Sequence, residues 1–118
     1  MDFTHHKFPL NYDPLTDPSV QVDEEVVTLL VPQYNVVLLD DDHHTYDYVI
    51  EMLMDIFHHS AETAYKMACE VDSAKRVIVA TMHQDRAELK RDQIHSYGAD
   101  WRMPQSKGSM SAIIEPAE

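Results

Sequence analysis

Residues 34–57 read YNVVLLDDDHHTYDYVIEMLMDIF, an apolar run that stops at three aspartates and two histidines and then resumes with helical spacing. Tyr34 to Leu39, rich in Val and Leu, has the length and composition of a buried strand. Beyond the break, Val49, Met52, Leu53 and Ile56 recur at intervals of three and four, the pattern of an amphipathic helix, and Thr45 stands where an N-cap belongs. Asp40, Asp41, Asp42, His43 and His44 therefore occupy a strand-to-helix turn, where carboxylates can meet a cationic group.

Downstream, Ser60 caps a second helix over 61–73 that places Ala64, Met67, Ala68 and Val71 on one face. RVIVATM at 76–82 reads as a strand by its β-branched content. A third helix is expected over 84–98, ending at Gly98, the residue type best suited to a left-handed cap. A polar loop over 99–110, holding Trp101, Pro104 and Gly108, precedes a last strand at 111–115. The order β-α-α-β-α-β predicts an α+β sandwich, a three-stranded antiparallel sheet packed against three helices. Residues 1–33 differ in character, with Pro9, Pro14, Pro18, Pro32 and the acidic group Asp23, Glu24, Glu25. They read as a flexible N-terminal extension ahead of a domain over 34–118. VVTLLV at 26–31 is apolar enough either to add an edge strand or to dock on the core.

A length of 118 residues with 44% hydrophobic content fits one small domain with a modest core. A net charge of -12 disfavours a nucleic acid or an anionic membrane as partner, because both surfaces would repel the chain. An amine-bearing ligand suits it better. Cys69 is the single cysteine, so no intramolecular disulfide can form. With neither a secretory signal nor a long apolar run, the chain is expected to be soluble and cytoplasmic.

The aspartate turn admits two readings from its residues alone, a solvated turn favouring the dipole of the following helix or a binding site for a cation. Histidines come as the pairs His5-His6, His43-His44 and His58-His59, with His83 and His95 alone. Adjacent residues point in different directions and make poor co-ligands, so no metal site is expected, and His58 and His59 read as polar filler at a helix end. A small metal-binding protein built on the DDDHH turn remains the competing class. Met52 and Met67 fall on core faces, and Cys69 lies just off one, with no basic neighbour to activate its thiol. No GxSxG, CxxC or glycine-rich phosphate loop occurs in a chain with two glycines, so neither enzymatic chemistry nor a cofactor is expected.

Taken together, YNVVLLDDDHHTYDYVIEML, the AxxMAxEVD pattern at 64–72, RVIVATMHQDRAELKRDQI at 76–94 and the closing AIIEPA resemble the ClpS family of Clp protease adaptors in order and spacing. The resemblance spans Tyr34 to Ala117. It implies a monomeric adaptor that binds the exposed N-terminal residue of a substrate protein and hands the substrate to the N-terminal domain of a Clp AAA+ unfoldase of the ClpA or ClpC type. Carried over by position, Asp40, Asp41, Asp42 and Asp72 would surround the substrate's ammonium. Leu38, Leu39, His44, Tyr46, Val49, Ala68, Val71 and Met110 would shape the hole for its side chain, although ordinary core packing explains several of them equally well. Asp85, Glu88 and Lys90 match the region through which such adaptors contact the unfoldase, with a solvated charged face as the alternative. The N-terminal extension would take part in delivery.

The chain also departs from the family pattern. Asp40 stands where the turn usually has Asn and Asp72 where the second helix usually ends in His, so two groups become acceptors only. Tyr46 and Ala68 replace two pocket methionines, which narrows one wall and opens another. These changes imply an altered side-chain preference, with large hydrophobic first residues still expected. They also leave room for a divergent module that docks on the unfoldase without reading N-termini.

Overall fold

The computed structural model describes residues 31–117, and its first strand, β1 (Gln33–Leu39), runs down the middle of the sheet. The expectations for the N-terminal extension, including an edge strand over 26–31, lie almost wholly outside the described residues. The elements that follow are α1 (Tyr46–Phe57), α2 (Ala61–Ala74), β2 (Arg76–His83), α3 (Gln84–His95) and β3 (Ser111–Pro116). The sheet order is β2-β1-β3, and both pairings are antiparallel. This is the α+β sandwich expected from the order of elements.

The central place of β1 explains its apolar run, since Val36, Val37 and Leu38 are fully buried between two neighbours. A bulge interrupts the ladder, where Val36 faces Ala80 but Val37 already faces Ile78. Strand alternation sends Val36 and Leu38 toward the helices, where they meet Val77, Val79 and Ala112 from the flanking strands. Val49, Met52, Leu53 and Ile56 of α1 and Ala64, Ala68 and Val71 of α2 close the core from the other side. Truncating a fully buried residue such as Leu53 to Ala would cost about 2–5 kcal/mol.

Both helix starts form as their caps dictate. Thr45 accepts the Tyr48 N–H and Ser60 the Thr63 N–H through their side chains. The α3 end departs from expectation, because the helix stops at His95 and Gly98 lies beyond its cap. Tyr97 leaves the helix to set its ring edge-on against Tyr48, centroids 5.5 Å apart, and to donate its hydroxyl to Asp55 at 2.6 Å. Gly98, at φ +106°, then turns the chain into the loop. His59 is not surface filler either, since its Nε2 lies 2.7 Å from the Val79 carbonyl and its ring stacks on Phe57. No helix among the described residues is long and apolar enough to cross a membrane.

The loop between α3 and β3 is organised by one buried acid. Asp100, 1% exposed, accepts the Thr45 N–H at 2.7 Å and the Thr45 hydroxyl at 2.8 Å on one oxygen. Its other oxygen accepts the Arg102 N–H at 3.0 Å and Nη1 at 3.2 Å. Burial opposes ionisation, but the donors from Thr45 and Arg102 outweigh it and hold the Asp100 carboxyl down at about 2. A folded-state value below the ordinary 3.8 means that this stabilisation is complete above about pH 4 and is lost as pH falls toward 2. Asp100→Asn should therefore cost about 2 kcal/mol in urea unfolding at neutral pH and flatten the acid side of the stability profile. Superimposable pH profiles for the two proteins would show that Asp100 is not the anchor.

Candidate functional site

The turn after β1 is clamped at both ends. The Asp40 N–H donates to the Lys75 carbonyl at the C-terminus of α2, 3.1 Å away, while Thr45 at the far end is held by Asp100. Between them Asp42 adopts a left-handed conformation, φ 64°, which turns the backbone and fans the three aspartates apart. The Asp40 side chain, 13% exposed, lies 3.4 Å from the solvent-exposed Lys75 ammonium, a loose pair of small energetic weight. The Asp41 Oδ1 accepts the His43 N–H at 2.9 Å and faces His44 Nδ1 at 2.8 Å. Asp42 is exposed.

His44 joins this turn to the Asp100 loop. Its ring, 3% exposed, packs on Tyr48 with centroids 4.5 Å apart. Nε2 lies 2.7 Å from the Gly108 carbonyl and 3.2 Å from Ser106 Oγ, which itself accepts the Asp100 N–H at 2.9 Å. A cleft of about 480 Å³ opens between turn and loop, lined by Asp41, His43, His44, Gln105, Lys107, Gly108 and Ser109. Asp100 and Ser106 carried no expectation from sequence and Gly108 stood only as a loop residue, because an isolated Asp in a polar loop gives no signal of a partner 55 residues away.

The apolar positions divide. Leu38, Val49, Ala68, Val71 and Met110 belong to the buried core. Leu39 does not join them, because alternation along β1 turns it to the opposite face of the sheet, outside the core cluster. Tyr46 opens α1 and is 39% exposed, and its hydroxyl donates to the Asp72 carboxylate on α2 at 2.7 Å. Two of the four departures from the family pattern, Tyr46 and Asp72, thus meet in one hydrogen bond across the α1–α2 junction. That bond, with the Asp72 charge beside it, pushes the Tyr46 phenol up to about 12. Tyr65 of α2 sets its ring 6.2 Å from that of Tyr46.

The residues expected to touch an unfoldase do not share one face. Asp85 is exposed in the first turn of α3, and Glu88, one turn on, accepts a bond from Gln84 at 3.3 Å. Lys90 instead folds inward, donating to the Ile56 carbonyl at 2.7 Å and lying 5.8 Å from the centre of the Phe57 ring. It caps the C-terminal end of α1. No group of three or more His, Cys, Asp or Glu capable of holding a metal ion comes together among the described residues.

With this geometry established, comparison with known proteins decides the family. Residues 30–104 match the family described as ATP-dependent Clp protease adaptor protein ClpS. The chain belongs to the ClpS family. A ClpS adapter of Nautilia profundicola is 34% identical over 80 residues, covering 67% of this chain and 82% of that protein. One from Wolinella succinogenes is 30% identical over 100 residues, covering 85% and 93%. Among solved structures, Agrobacterium tumefaciens ClpS2 bound to L-phenylalaninamide is similar in fold, with a TM-score of 0.63 at 22% identity, covering 73% of this chain and 98% of that one. As a ClpS protein the chain is an adaptor of Clp protease, and its part in proteolysis follows from that membership.

The Tyr46–Asp72 bond can be checked directly. Asp72→Asn removes the charged acceptor, so the Tyr46 phenol should titrate close to the ordinary 10.0 in the variant and near 12 in the parent chain. Site-resolved tyrosine NMR reads this, and equal titration in both proteins would show that the bond does not persist in solution.

Proposed function

We propose that this ClpS protein reads the N-terminal residue of substrate proteins and delivers those substrates to a Clp AAA+ unfoldase for degradation. One observation carries the reading: the carboxylate-bearing turn leads into α1 and is bonded to the end of α2 at Lys75, and the apolar residues Val49, Ala68 and Val71 of these two helices pack beside it in the core. An N-terminus presents an ammonium beside a side chain and so needs fixed acceptors next to an apolar hole. Asp40, Asp41 and Asp42 supply acceptors from the turn, and Asp72 supplies one from α2. The L-phenylalaninamide held by the Agrobacterium relative combines those features, a free amine and a benzyl group on one carbon.

Energetics set the selectivity. Charge-assisted hydrogen bonds contribute about 1.5–3 kcal/mol each, whereas a buried polar group left without a partner loses a comparable amount. An acetylated N-terminus, having lost its charge and two donors, should be rejected. The first residue's side chain enters between α1 and α2, where Ala68 leaves room and Tyr46 narrows the entrance, so bulky hydrophobic residues are preferred. Delivery is to the N-terminal domain of a ClpA- or ClpC-type unfoldase. Asp85 and Glu88 on α3 provide the contact rim, and Lys90 supports it by holding α1. The protein acts as a cytoplasmic monomer with no enzymatic step of its own.

The Tyr46–Asp72 bond favours a second reading, since Asp72 is already partnered: a module that docks on the unfoldase without reading N-termini. Fluorescence anisotropy separates the two. Labelled peptides beginning with Leu, Phe, Tyr or Trp should bind at least tenfold more tightly than the Ala peptide and than their acetylated forms. Uniform failure to bind, by a protein that still associates with a Clp N-terminal domain, would establish the second reading.

A further inference from the structure

The cleft between the aspartate turn and the Asp100 loop is not used by the side-chain hole, which lies toward α2. It shares one residue with the proposed amine site, Asp41, and extends from there to Gln105 and Lys107. Resting on the N-terminal reading above, we propose that this cleft receives the second residue of the bound substrate and selects an acidic side chain there.

Chain geometry supports the placement. Consecutive Cα atoms lie about 3.8 Å apart, so a peptide whose ammonium rests at Asp41 places its second residue within one residue's reach of that carboxylate. Asp41 lines this cleft and no residue of α2 does, so a first side chain directed between α1 and α2 leaves the cleft to the residue that follows. Its walls are held firmly, because Ser106 and Gly108 are bonded through His44 and Asp100. A loop so held is a preformed surface and loses little entropy on binding.

Chemistry supports the choice of an acid. Asp41 Oδ1 is taken up by the His43 N–H and His44, and its other oxygen goes to the ammonium in the N-terminal reading, which leaves the exposed Lys107 as the charge the second residue meets. Lys107 makes no ion pair among the described residues, in a chain with 21 acids and 9 Lys and Arg. Gln105 and His43 add side chains able to donate to a carboxylate, and both are exposed at the rim. A basic second residue would instead meet Lys107 with Asp41, the cleft's one acid, already engaged by the substrate's ammonium. The local preference therefore runs against the field of the whole protein, which at -12 attracts cations.

Anisotropy with the full chain and Leu peptides carrying Asp, Ala or Lys at the second position tests this. Asp should bind about threefold more tightly than Lys, the size of one solvent-exposed ion pair. Lys107→Ala should abolish the ranking while leaving Leu-Ala binding within about twofold, and Lys107→Glu should reverse it. Moving the Asp to the sixth position should remove the gain. Leu-Ala binding with no ranking that depends on Lys107, or with an equal gain from the sixth position, overturns the cleft's role alone. Failure of every Leu peptide overturns the N-terminal reading and this inference with it.

Discussion

A single buried carboxylate ties the start of the first helix to a loop on the far side of the sequence. Asp100 takes two donors from Thr45 and two from Arg102, and no neutral side chain of its size could accept all four. Thr45 in turn serves two partners, donating its hydroxyl to Asp100 and accepting the Tyr48 N–H. The N-cap of α1 is thereby also the anchor of the loop. With the Asp40–Lys75 backbone bond at the other end, the turn carrying the aspartates is held by elements that the fold brings together from three separate regions.

This scaffolding divides the labour among carboxylates that look alike in the sequence. Asp100 is structural and fully committed. Asp41 positions His44 and keeps one oxygen uncommitted toward the proposed amine site. Asp40 sits near the surface beside Lys75, Asp42 faces solvent, and Asp72 holds the hydroxyl of Tyr46. A net charge of -12 is therefore not a uniform acidic coat but a few carboxylates fixed in different local fields.

Pairing Tyr46 with Asp72 also gives physical content to the divergence of this ClpS chain. An acceptor-only group on α2 acquires a donor on α1, so these two of its four departures compensate each other in hydrogen bonding. In the proposed reading the cost falls on access, since an ammonium at Asp72 would have to share the carboxylate with the phenol or displace it. That competition is local, and the core beneath it, with Val49, Ala68 and Val71 almost fully buried, is independent of it.

Much of the fold was legible in the sequence because its signals are local. The 3.6-residue spacing of Val49, Met52, Leu53 and Ile56, the caps at Thr45 and Ser60 and the Val-rich strands each act within one element, and each formed where expected. Family membership was legible for a related reason, as it lies in the order and spacing of such segments. Tertiary structure decided what depends on contacts between distant elements. It ended α3 at His95, because Tyr97 finds better partners in Tyr48 and Asp55 than in another helical turn. It separated Leu39 from Leu38 across the sheet, drew Lys90 inward to the Ile56 carbonyl and made Asp100 the anchor of the site. Periodicity and capping reveal which face a residue takes within its own helix or strand. The partner that satisfies a long polar side chain is chosen by whichever donors and acceptors the packed elements leave unmatched nearby.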